Sequence, residues 1–115
     1  MGLEDIIFIV ELETGYTLTQ MIENSGNAYY AKCILALMAH EEGIKDKTEL
    51  AGLLKVERNT IYTYINRANL LLSTWPGMPG YNKVFKMLYL ECNRRRVYLE
   101  ERPELTLTYK QEWCA

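Results

Sequence analysis

The chain is 115 residues long, 49% apolar and 24% charged, which excludes a disordered polymer and, at this length, allows one core without metal or disulfide staples. Thirteen basic and fifteen acidic residues leave a formal net charge of −2, a sign that by itself speaks against a polyanionic partner. Cys33, Cys92 and Cys114 show no Cys-x-x-Cys spacing, so they read as small apolar residues in a reducing compartment rather than as a disulfide framework or a zinc site.

Glu4 and Asp5 stand where a secretory signal carries bases. No run approaches the roughly 18 apolar residues of a membrane span. Ile6 occupies the position where a myristoylation pattern has Ser or Thr. A soluble, cytoplasmic protein without membrane association is the expectation.

Leu3, Ile6, Ile7 and Val10 share one helical face, which predicts a first helix from Leu3 to Glu11, stopped by Gly15. Thr17 or Thr19 caps a short second helix over Met21 and Ile22, closed by Asn24-Ser25-Gly26-Asn27. Ala28 to Glu42 is rich in Ala, Leu and Met and nearly free of charge, so it reads as the central buried helix, ended by Gly43. Asp46-Lys47-Thr48-Glu49 has the form of a capping box and opens a helix from about Lys47 to Lys55.

A further helix runs from Arg58 to Leu72. Ile61, Tyr64, Ile65 and Leu72 fall on one side, with Arg58, Asn59, Tyr62, Thr63 and Asn66 on the other. Ser73 to Gly80 holds two prolines and two glycines and reads as a loop. Tyr81 to about Arg95 is helical, with Val84, Phe85, Leu88 and Cys92 at core spacing. Val97 to Glu101 and Leu105 to Tyr109 alternate around Arg102-Pro103-Glu104, which suggests a hairpin. The expected fold is mainly α: a helical bundle with a helix-turn-helix over residues 1–96, followed by a short β-hairpin or extended tail over 97–115.

Resolved by segment, the charge is far from uniform. Residues 1–42 carry a net −6, residues 43–96 a net +6, and the tail −2. The bases therefore lie in the part of the chain that holds the two short helices.

Those helices have the requirements of a helix-turn-helix, in which the first helix crosses the DNA backbone and the second enters the major groove. Ala51 is the small residue that permits close crossing, Val56 the apolar turn residue, and Ile61 with Tyr64 or Ile65 the anchors of the second helix. Such motifs commonly place Gly where Lys55 stands. Because a Lys at positive φ is strained, the expectation is a wider turn or a different geometry. Two short amphipathic helices also occur in plain bundles. The outward face favours DNA, because its side chains are hydrogen-bonding types with no acid after Glu57.

The string from Thr48 to Ile65 resembles the helix-turn-helix of many bacterial regulators. More widely, Ile6 to Leu72 resembles the C-terminal DNA-binding domain of the bacterial replication initiator DnaA, a member of the Trp-repressor-like folds. Ile6 to Val10 with Gly15, then Ala31-Lys32-Cys33-Ile34 and Ala39, take the places of that family's first helices. Its recognition-helix signature, Asp-His-Ser-Thr-Val, falls on Glu57-Arg58-Asn59-Thr60-Ile61, where Thr60 is identical and Glu57 and Ile61 are conservative. Asn24 to Asn27 replaces the family's basic loop, and no nucleotide-binding module is present. The resemblance implies a transcriptional regulator or replication-associated factor, of bacterial or phage type.

The expected function is sequence-specific binding of double-stranded DNA. Arg58 and Asn59 are the candidates for base readout, Lys47, Thr60 and Arg67 for phosphate contact, with Tyr62, Thr63 and Asn66 on the same face. Lys32, Arg94, Arg95 and Arg96 are auxiliary phosphate candidates, although cations at a helix C-terminus also complement its dipole. The competing reading is a protein-interaction module that reuses the same fold. The tail reads as a wing or, more readily because a loop and a helix intervene, as an edge strand that pairs with a second subunit, which allows a homodimer. No catalytic residue, metal, nucleotide or other cofactor is expected: His40 lacks a ligand partner at fixed spacing and reads as a surface residue, and Trp75 and Trp113 read as packing.

Overall fold

A computed structural model describes residues 2–23, 28–44, 46–102 and 104. Six helices and no strand are found among the described residues: α1 (Leu3–Thr14), α2 (Leu18–Glu23), α3 (Tyr29–Glu41), α4 (Lys47–Leu54), α5 (Arg58–Ser73) and α6 (Lys83–Glu101).

Local chemistry sets most of the ends. Gly15 stops α1 at φ 79°, its amide bonded to the Glu11 carbonyl at 3.0 Å. Thr17, not Thr19, caps α2: its hydroxyl accepts from the Gln20 amide at 3.2 Å, and the Gln20 side chain accepts from the Thr17 amide at 2.9 Å, a reciprocal capping box. Asp46 caps α4 through the Thr48 amide at 2.8 Å, one position earlier than the capping box implied. That bond is the main cause of a depressed Asp46 carboxyl pKa.

α3 is the central element. All nine residues from Ala31 to Ala39 are buried, and α1, α5 and α6 pack against it. α1 in turn packs on α6, and α4 on α5. α6 is fastened at its start by Asn82, whose side-chain oxygen accepts from the Phe85 amide at 2.9 Å while its side-chain nitrogen donates to the Tyr30 hydroxyl at 2.6 Å. The fully buried Phe85 ring meets Tyr30 edge-on at 5.4 Å.

The expected first hairpin strand, Val97 to Glu101, is instead the last part of α6. Leu99 is 1% exposed and lies two turns beyond the buried Cys92, so it extends the stripe that begins at Phe85. The boundary drawn at residue 96 therefore falls inside a helix. Leu105 to Tyr109, the expected second strand, and Trp113 lie outside the described residues. Within α6, Val84 is exposed at 62% rather than in the core, and Trp75 stands out of the loop at 61% instead of packing.

Cys33 and Cys92 are free and fully buried. Burial pushes their thiols from the ordinary 9.0 up to about 11 and about 12 respectively. Unfolded thiols ionise near the ordinary value while folded ones stay protonated, so their stabilisation is full below pH 9 and is lost as pH rises through the folded values. Urea unfolding at pH 10 should show a stability lower than at pH 8 by on the order of 2 kcal/mol; equal midpoints would contradict the burial of these thiols.

Candidate nucleic-acid interface

The two short helices of the expected motif are α4 and α5, which pack against each other. Leu50, Ala51 and Leu54 are buried on α4, and Ile61, Tyr64 and Ile65 on α5, with Val56 half-buried between them. The turn is a Schellman motif. The Val56 amide reaches the Ala51 carbonyl at 3.0 Å and the Lys55 amide reaches Gly52 at 3.3 Å. Lys55 occupies the left-handed position at φ 56°, the one non-glycine residue at positive φ among the described residues. The wider or altered turn expected for a Lys is thus not adopted. The closed helix end and the Val56 contact offset a local strain of about 1 kcal/mol. Replacing Lys55 by Gly should raise the unfolding free energy by about 1 kcal/mol, read by urea denaturation.

This turn presents α5 with its polar face outward. Arg58, Asn59, Tyr62, Thr63, Asn66 and Arg67 are all exposed, and Thr60 is half-buried. The Thr63 hydroxyl donates back to the Asn59 carbonyl at 3.3 Å. Glu57 begins α5 in an extended conformation without a side-chain cap, and no acidic residue follows in its first turn. The positive end of the helix dipole therefore meets the carboxylate of Glu57 at the N-cap and no further acid in the first turn. Tyr62 also borders a hollow of about 330 Å³ with His40, Gly43, Ile44 and Lys47; His40 is exposed, as expected.

Other candidates are not brought to this face as free cations. Lys32 is 7% exposed, its ammonium 5.7 Å from the centre of the Tyr64 ring. Lys47 is 3% exposed and its ammonium donates to the Ile44 carbonyl, closing the α3–α4 connection. Both long side chains lie along apolar surface, which a sequence cannot distinguish from extension into solvent. Lys55 is the opposite case. The sequence marks it only as a turn residue, yet it is an exposed cation between the two helices.

The arginine cluster divides. Arg95 bonds Glu13 of α1 at 2.8 Å. Arg96 lies 3.7 Å from Glu41 and 3.5 Å from Glu42 at the end of α3, and it also donates to Asn93. Tyr89 donates to Glu41 at 2.7 Å, and burial together with that carboxylate raises its phenol pKa. Burial and the neighbouring Glu100 raise the Glu42 carboxyl pKa, opposed by Arg96. Part of the acidic N-terminal excess is thus spent on α6 instead of forming a separate face. Arg94 pairs with Glu91 of its own helix at 2.5 Å, with 72% of its side chain exposed.

Comparison with protein-family models, with curated proteins and with solved structures finds no match. No helix of the described residues is long and apolar enough to cross a membrane.

Proposed function

We propose that the protein binds double-stranded DNA in a sequence-specific manner through α5, as a regulator or replication-associated factor akin to the DnaA-type DNA-binding domain. The observation that carries this reading is the exposure, on one face of one helix, of Arg58, Asn59, Tyr62, Thr63, Asn66 and Arg67, with no acid on that helix. Arginine and asparagine are the side chains that pair bidentately with guanine and adenine edges. Their position in the first turn of α5 is the part of a recognition helix that enters the groove. Arg67, Thr60 and the exposed Lys55 suit phosphate contact.

The engagement of Arg95 and Arg96 with acids of α1 and α3 leaves the salt-dependent part of binding chiefly to Lys55, Arg58 and Arg67. Duplex titration at low and at physiological salt tests the proposal. Affinity should fall steeply with salt, as counterion release requires. Absence of binding even at low salt would overturn it. Lys32→Met and Lys47→Met should each leave affinity within about twofold, whereas Arg67→Ala should weaken it severalfold across all sequences. A large loss in either methionine variant would place a buried lysine in the interface.

The competing reading, a protein-interaction module that the sequence places on the acidic N-terminal part or the tail strand, gains instead a different surface, the exposed apolar face of α6.

A further inference from the structure

The outer face of α6 combines apolar exposure with an ordered charge pattern. Met87, Leu90 and Val97 are 55%, 50% and 44% exposed. With Lys83, Arg94 and Glu101 they recur at alternating steps of four and three, the heptad seam of a helix that packs against another helix. Val84 and Tyr98, 62% and 39% exposed, flank that seam.

The charges make the face complementary to itself in one orientation only. Lys83 and Lys86 lie at the start of the helix and Glu100 and Glu101 at its end, where Glu101 also pairs with the adjacent Arg102 at 3.4 Å. A parallel pair would set lysine against lysine and glutamate against glutamate. An antiparallel pair centred level with Cys92 sets Lys83 against Glu101 of the second copy and Met87 against Val97. The remaining seam contact is Leu90 against Arg94. A hollow of about 190 Å³ on this surface is lined by Glu91, Arg94, Arg95 and Tyr98, with Glu13 at its side.

We propose that the partner of this face is a second copy of the same chain, with two α6 helices packed antiparallel across a twofold axis. The inference stands apart from DNA binding, since it uses a different helix. Sedimentation equilibrium of the full chain tests it. The wild type should give twice the 13.4 kDa chain mass. The variant Met87→Glu with Leu90→Glu, altered only at exposed positions, should give the single-chain mass with unchanged helical circular dichroism. Lys83→Glu alone and Glu101→Lys alone should each weaken association by about tenfold or more, and an equimolar mixture of the two should restore it, because both ends of the mixed pair regain opposite charges. A monomeric wild type overturns the proposal, whether the tail or another partner covers the face. So does a mixture that associates no better than its components.

Discussion

Replacing Arg58 and Asn59 together by alanine should weaken binding to a duplex selected by the wild type by about 2 to 4 kcal/mol, roughly thirtyfold to several hundredfold. Both side chains are exposed in the first turn of α5, so the fold does not depend on them and thermal unfolding should be nearly unchanged. The loss should be larger for the selected sequence than for random duplex, because base contacts carry discrimination while phosphate contacts persist. Electrophoretic or fluorescence titration of both duplexes reads the difference. Equal loss on both sequences would assign the pair to the DNA backbone, and no loss on either would remove the start of α5 from the interface.

Phe85→Ala should lower the unfolding free energy by about 3 to 5 kcal/mol. The ring is fully buried and meets Tyr30 of α3 edge-on, and the adjacent Asn82 ties the same tyrosine through its hydroxyl. Removing the ring leaves a cavity where α6 joins the central helix, and the polar tie alone cannot restore that packing. Urea denaturation reads the loss directly. A change under about 1 kcal/mol would show that α6 is not docked on α3 through this residue. The polar face of α5 lies on another helix, so duplex affinity of the folded variant should be little altered.

The contrast between these residues shows what can be read from the chain. Gly15 and the Thr17 and Asp46 caps act within a few residues, and apolar periodicity fixes one face of a helix, so α1 to α5 and the anchors Leu50, Ala51, Ile61 and Tyr64 follow from local pattern. Lys55 follows only in part. The motif marks its position, but whether the chain accepts a strained lysine or opens the turn depends on how much the Schellman bonds and Val56 return.

The cations were the least legible. Burial of Lys32 against Tyr64 and of Lys47 against the Ile44 carbonyl is decided by neighbours brought together in the fold. The partner of Arg95 is Glu13, 82 positions earlier in the chain, a pairing no local pattern announces. A run of three arginines therefore looked like one basic patch, although two of its members hold α6 to the ends of α1 and α3. The alternation of Val97 to Glu101 misleads for a related reason. Val97 is exposed on the α6 seam and Tyr98 beside it, so a second apolar face overlies the core stripe and imitates a strand.

The exposed face of α5 is the surface proposed to meet DNA. Amide and side-chain NMR shifts of the isotope-labelled full chain, followed during titration with duplex, locate that surface residue by residue. The predicted result is a perturbed set confined to Lys55 and to Arg58 through Arg67, with the outer face of α6 unmoved. Shifts centred on Met87, Leu90 and Val97, or none at saturating duplex, would contradict it.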